Sequence, residues 1–312
     1  MKDYLKIIRP VNLLFIIILM GLMEKFVVRG VMLHYQLGEP LTWWVLLLLI
    51  VATVCIAAGG YVINDYFDVK IDAINRPERL IVTRGISKQQ AMRYFQLLTG
   101  VGVICGVAVA IVLRSMPLGL TFVIVPGILW FYSASYKRQF LLGNLTVAFL
   151  AAMVPMLIGF ACDAVLKKEF GADSMLGQYL VNKLYLWLAG FAAFAFLTTW
   201  AREIIKDIED QDGDRELECH TIAVMYGETV AKVVATVLIV VIMALVIWVS
   251  LLLQPKGMAW SNLTTRYCLL MEVGFAGVIA LLWAAKLPQD YHKAQGAMKA
   301  MMLIGSLYAV CI

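Results

Sequence analysis

Asp65, Asp68 and Asp72 stand at i, i+3 and i+7, and Asp207, Asp210 and Asp214 repeat that spacing in the second half of the chain, position for position. At about 3.6 residues per turn, this puts the three carboxylates of each set on one face of a helix. Like charges so placed repel, so each row costs stability unless a cation neutralises it. All the donors are oxygens, with no His or Cys at ligating spacing. That favours Mg2+, which binds through a few carboxylates and keeps its other positions for water and phosphate. Two such rows therefore predict a Mg2+-bridged diphosphate held between two acidic helices.

The residues around the rows fit that chemistry. Arg76, Arg79, Arg84, Lys137, Arg202 and Lys206 are placed to neutralise a leaving diphosphate, and Asn64 to add a ligand or a hydrogen bond. Ser87 with Gln90 has the form of a capping box that starts a short amphipathic helix over 88–96, able to cover the site. Gly85 before it permits a tight turn. Plainer roles compete for some of these: Lys137 as an interfacial anchor, and Asn75 to Pro77 as a helix stop. His34 and His292 read as loop residues without a chemical role. Tyr61, Trp130, Tyr132 and Trp200 read as packing or interface aromatics.

The elements that must carry these residues are membrane helices. The chain has 312 residues, 62% apolar and only 15% charged, against about 45–50% and 25% in an average soluble domain. Mean hydropathy is +0.85. Runs of about 20 apolar residues lie near 12–31, 41–63, 95–113, 117–135, 144–162, 180–200, 228–253, 267–285 and 297–312, so the fold class is all-α with about nine transmembrane helices. Glu24, Lys25 and Arg29 sit at the far interface of the first. Of 26 Lys and Arg, 18 fall at the N-terminus and after the second, fourth, sixth and eighth helices. Positive charge is retained in the cytoplasm, so the N-terminus and the acidic stretches 64–94 and 201–227 are expected inside, and the C-terminus outside, an inner cell membrane. Those two stretches hold 12 of the 21 acidic residues.

The formal charge of +5 reports loops facing anionic headgroups, not nucleic acid, and no protein partner is indicated. The six cysteines are scattered, with no C-x-x-C, so neither a disulfide framework nor a zinc site is expected. The polar N-terminus, with no small-residue cleavage site after the first apolar run, does not read as a signal peptide. The repetition of the aspartate row gives a single membrane domain of two pseudo-repeats, about 1–143 and 144–285, plus a last helix at about 297–312.

The segment N-D-Y-F-D-V-K-I-D at 64–72 resembles the N-D-x-x-D-x-x-x-D motif of the UbiA-type intramembrane prenyltransferase superfamily. Similar family segments follow at 74–87 (I-N-R-P-E-R-L-I-V-T-R-G-I-S), 132–137 (Y-S-A-S-Y-K), 143–144 (G-N) and 202–214 (R-E-I-I-K-D-I-E-D-Q-D-G-D), with R-P-V-N at 9–12. Together they span essentially the whole chain. The resemblance implies a helical bundle around a central cavity, where Mg2+ holds a polyprenyl diphosphate and the prenyl group passes to a lipophilic acceptor. It assigns Asn64, Asp65, Asp68 and Asp72 to the first motif and Asp207, Asp210 and Asp214 to the second. Arg202 and Lys206 match the basic positions before the second, and Asn12 the asparagine lining the pocket from the first helix. The residues it implies at the reacting diphosphate are Asp68, Asp72, Lys206, Asp207 and Asp210, with Arg76, Arg79 and Lys137 among those binding substrate.

Within the superfamily, I-D-x-I-N-R-P-x-R with R-E-I-x-K-D-x-E-D-x-x-G-D is most similar to digeranylgeranylglyceryl phosphate synthases, which add a second geranylgeranyl group to a glycerol-phosphate ether. Leu80, where proline is common, and Glu218-Cys219-His220, where small and basic residues are usual, depart from that pattern. His220 is then a candidate substitute for a phosphate-contacting cation. An aromatic quinone precursor or a tetrapyrrole is the alternative acceptor. From another class, a cation or metabolite transporter also places carboxylates near a membrane surface, but transporters commonly use inverted repeats with midplane sites, whereas repeats four helices apart run parallel.

Overall fold

The computed structural model describes residues 2–75, 77–171, 173–253 and 263–311. Among these every regular element is helical, and only an isolated bridge joins Val82 to Ile86. Nine long helices follow in order: α1 Pro10–His34, α2 Trp43–Phe67, α3 Lys88–Leu113, α4 Met116–Ala134, α5 Leu142–Phe170, α6 Met175–Glu209, α7 Glu228–Leu253, α8 Leu263–Ala284 and α9 Pro288–Leu307. The first eight are long and apolar enough to cross a membrane. The ninth is 20 residues long and begins earlier than the apolar run at 297 suggested. Pro288 opens it at a position where proline lacks only an N–H that would be unpaired anyway. Asp290 accepts from the backbone N–H of Leu287 at 3.3 Å. Its bond from Lys293, and then those from the Lys286 and Leu287 amides, hold its carboxyl below the usual carboxylate range.

Two further expectations are corrected. Ser87 and Gln90 do form the capping box, but the helix it starts runs unbroken from Lys88 to Leu113. No separate short helix covers 88–96, because no Gly or Pro interrupts the junction. The turn before it uses Thr83, at φ 81, as its left-handed residue, not Gly85. Gly85 is needed for close approach: a Cβ there would sit 2.7 Å from the Asp3 carboxyl. Glu24 and Lys25 fall in a π-helical segment of α1, Met23–Val28, and Arg29 pairs with Glu39 at 3.0 Å.

The chain divides into two compact units. Met1–Lys137 with Met153–Ala192 forms one, and Arg138–Ala152 with Ala193–Ile312 the other. In the first, Ile7, Val62, Ile63, Val82, Ile86, Ala91 and Phe95 make a buried cluster under the end of α2. There α2 and α3 approach closely at glycines. A Cβ on Gly59 would meet Thr99 Oγ1 at 2.5 Å, and one on Gly102 would meet Ile56 Cγ1 at 2.6 Å. Such small-residue contacts are how helices pack where lipid removes the hydrophobic drive.

In the second unit, Ile204 and Ile208 of α6 pack with Phe275 and Leu282 of α8 and with Tyr291 and Met298 of α9. Lys232 of α7, 7% exposed, donates to the Ala285 carbonyl at 2.9 Å and pairs with Glu228 at 2.8 Å. It thereby closes the C-terminal end of α8, where carbonyls lack helical partners. Tyr291 donates to the same Glu228 at 2.5 Å, so the polar clip joins α7, the end of α8 and the start of α9.

Candidate active site

The first acidic row sits where α2 runs out of apolar residues. Asp65 lies in its last turn, Asp68 just beyond its end, and Asp72 in the short helix Val69–Asn75. The three are therefore not on one uninterrupted helix, as the spacing alone suggested. The break is mild: Asp68 stands at φ −85, ψ 3, the bridge region where many active-site residues are found. The backbone ladder continues through it, from Asp68 N to the Asn64 carbonyl at 2.9 Å and from Asp72 N to the Asp68 carbonyl at 2.8 Å.

The second row repeats this backbone. Helix α6 ends at Glu209, the counterpart of Phe67 at the end of α2, and Gln211–Glu216 follows as Val69–Asn75 does. Asp210 stands at φ −93, ψ 7. Its N–H donates to the Lys206 carbonyl at 2.9 Å, and that of Asp214 to the Asp210 carbonyl at 3.1 Å. The ψ rotation falls at the middle aspartate in both rows.

Partners differ between the rows. Arg9 donates to Asp65 at 2.7 Å and lies over the Tyr61 ring, 5.0 Å from its centroid. Asn64 donates to Asp68 at 2.7 Å, and Lys137 makes a close ion pair with the same carboxylate oxygen. Asp68 is 7% exposed. Lys137 thus belongs to the first row and is not only an interfacial anchor. In the second row, Asn144 at the start of α5 donates to Asp207 at 2.8 Å. Arg202 pairs closely with Glu203, and Lys206 lies 3.9 Å from the same carboxylate. Asp214 is 6% exposed. The segment after it is pinned by Cys219 N to the Asp214 carbonyl at 2.8 Å and by Gln211 to the Ala223 carbonyl at 3.0 Å.

Sequence reasoning missed Arg9, Asn144 and Glu203 as partners. The first two stand in segments, R-P-V-N and G-N, whose motif character was the available signal. Of the other expected residues, Arg76 lies outside the described residues, and Arg79 closes the 3-10 turn Pro77–Arg79. Asn12 is in the first turn of α1. Arg84 donates to the Pro77 carbonyl at 2.7 Å, bracing the turn. His220 is exposed, its backbone N–H bonded to the Arg138 carbonyl at 2.9 Å. His292 is no loop residue: it lies in α9, its Nδ1 3.3 Å from Glu209. Trp130 packs edge-on against Phe67, 5.5 Å between centroids.

Among the described residues, no three His, Cys, Asp or Glu side chains gather around a metal-sized space. In the first row, bonds to Arg9 and to Lys137 draw Asp65 and Asp68 to different partners. The donor set is nonetheless hard oxygen throughout, with a buried carboxylate in each row, Asp68 and Asp214. This fits a divalent cation of the Mg2+ type that takes its remaining ligands from a phosphate.

Residues 27–307 match the UbiA prenyltransferase family. Digeranylgeranylglyceryl phosphate synthase from Methanopyrus kandleri is 33% identical over 307 residues, covering 98% of this chain and 97% of that protein. The synthase of the same name from Methanosphaera stadtmanae is 30% identical over 312 residues, covering 97% and 96%. In fold, the chain is similar to a UbiA homolog from Archaeoglobus fulgidus bound to GPP and Mg2+, with TM-score 0.59 at 14% identity, covering 99% of this chain and all of the other. With a family match along nearly its whole length and two relatives of one name that align from end to end, the chain belongs to the UbiA prenyltransferase family.

Proposed function

We propose that this membrane enzyme transfers a geranylgeranyl group from its diphosphate to geranylgeranylglyceryl phosphate, releasing diphosphate. The observation that carries this reading is identity of 33% along 98% of the chain with an enzyme of that activity by name. The duplicated aspartate rows supply the matching chemistry. In this reading the chain is one domain of two pseudo-repeats, about 1–143 and 144–285, plus a last helix. Its N-terminus and both rows are cytoplasmic, and its C-terminus is outside.

Breaking the allylic C1–O bond leaves its electron pair on diphosphate, so stabilisation of that growing charge is where a preorganised site contributes most. Mg2+, when bound, supplies positive charge to the leaving group. The carboxylates to bind Mg2+ are Asp65, Asp68 and Asp72 in the first row and Asp207, Asp210 and Asp214 in the second, with Asn64 beside the first. Arg76, Arg79, Lys137, Arg202 and Lys206 are the cations for the diphosphate oxygens, and Asn12 contacts substrate from α1. Arg9 and Asn144 orient the first carboxylate of each row. The apolar helices exclude water, which would otherwise capture the allylic cation as an alcohol.

The test is purified protein in lipid nanodiscs with geranylgeranyl diphosphate and candidate acceptors, products identified by mass spectrometry. Geranylgeranylglyceryl phosphate is expected to give the diether with one diphosphate released per transfer. EDTA should abolish the reaction, and Mg2+ restore it. Product from an aromatic acid or tetrapyrrole acceptor only would overturn the acceptor assignment. Uptake without product would favour transport. Labelling of single cysteines placed at each terminus tests the orientation.

A further inference from the structure

Helix α9 lies outside the two pseudo-repeats, yet within its own unit its first turns reach Glu209, at the helix end that carries the second aspartate row. Glu209 is the last residue of α6, between Asp207 and Asp210. At about 100° per residue it projects roughly 200° around the helix from Asp207, away from the aspartate face. Its side chain is 8% exposed, with His292 Nδ1 3.3 Å away. Gln295 Nε2 donates to its other oxygen in a close hydrogen bond. Both partners belong to α9.

The corresponding position in the first row is Phe67, which is anchored by apolar contact with Trp130 and with Tyr66. An apolar anchor is thus sufficient to pack such a helix end. A buried carboxylate is costlier, because it requires hydrogen bonds to offset its desolvation. What it adds is direction: a hydrogen bond from Gln295 and the nearby His292 ring fix the rotation of the helix end, whereas an aromatic contact tolerates slippage. A rotation of about 20° would move a carboxylate some 5 Å from the axis by on the order of 2 Å. Misplacement by about 1 Å at a reacting centre costs on the order of 100-fold.

We infer that Glu209 is a positioning residue, through which Gln295 and His292 of the last helix set the orientation of Asp207 and Asp210 toward a diphosphate and its metal. This deepens the proposed function and rests on it. The experiment compares wild type, Gln295→Met, Glu209→Gln and the exchange Glu209→Gln/Gln295→Glu in nanodiscs. For each it reads the Mg2+ dependence of transfer, kcat and KM for donor and acceptor, thermal stability, and amide hydrogen exchange over 204–214. Gln295→Met should raise the Mg2+ concentration for half-maximal rate about tenfold and leave acceptor KM unchanged, with faster exchange confined to 204–214. The exchange variant, which restores an amide–carboxylate pair with reversed roles, should recover Mg2+ dependence to within about threefold.

A wild-type Mg2+ response and unchanged exchange in Gln295→Met would overturn the inference. So would a rate loss that follows folded fraction alone. If wild type transfers no prenyl group, the functional reading fails, while exchange over 204–214 still decides whether α9 anchors this helix end.

Discussion

Replacing Asp68 separates its two tasks. Its side chain is 8% exposed and that of its ion-pair partner Lys137 17%, so solvent screens the pair weakly. Removing one member of such a pair leaves an uncompensated buried charge, at a cost of about 3–5 kcal/mol, and the 2.7 Å bond from Asn64 adds about 1 kcal/mol. Asp68→Ala should therefore destabilise the first unit by about 4–6 kcal/mol and abolish transfer. Lys137→Met alone should be similarly destabilising, since it strands Asp68. The double variant Asp68→Ala/Lys137→Met removes both charges, and such replacement is often neutral, so stability should return to within about 1 kcal/mol of wild type. Transfer should not return, because both the carboxylate and the Lys137 cation at the diphosphate are missing. The assays are denaturant titration in detergent and mass spectrometry of the diether product in nanodiscs. Recovery of transfer in the stable double variant would refute the placing of Asp68 in the diphosphate site and reduce it to a counter-ion for Lys137.

Arg9→Leu and Asn144→Leu should each lower donor kcat/KM about tenfold, with Arg9→Lys recovering part, because each releases the first carboxylate of its row; unchanged kinetics would deny both an orienting role. Lys232→Met should cost about 1 kcal/mol, measured by denaturant titration, because the Ala285 carbonyl loses its nearer donor but keeps the Tyr291 hydroxyl at 3.2 Å, while the Glu228 contribution, at 44% side-chain exposure, is small. Gly305→Ala should destabilise more than Gly274→Ala. A Cβ at 305 meets the Phe194 ring at 2.2 Å, whereas one at 274 meets the adaptable thioether of Met301 at 2.3 Å, and the difference should be about 1–2 kcal/mol by the same titration.

The aspartate rows were legible because their spacing is a property of the sequence itself, and so was their repetition at matching positions of the two halves. The relaxed backbone at Asp68 and Asp210 was not, because helical periodicity gives the side on which a residue falls but not a rotation of ψ at one position. Arg9 and Asn144 lie 56 and 63 residues from the carboxylates they meet, a separation at which charge and amide composition carry no pairing information. The start of α9 was misplaced because Asp290, His292 and Lys293 interrupt its hydropathy. Pro288 followed by Asp290 was the local signal that could have found it.

Rows that are equivalent in sequence are unequal in charge. Asp65 and Asp68 each have a protein cation, Arg9 and Lys137, against them. Asp207 receives a neutral amide from Asn144, and the basic residues before it, Arg202 and Lys206, lie against Glu203. A carboxylate already balanced by a guanidinium gains less from a divalent ion than one that accepts from a neutral amide. Asp207→Asn should therefore raise the Mg2+ requirement of diphosphate release about tenfold, and Asp65→Asn by no more than about threefold. Both are read from Mg2+ titrations at saturating donor. If Asp65→Asn proved the more demanding of the two, Arg9 would not be acting as the counter-charge of the first row, and the division of labour between protein cations and metal would have to be reversed.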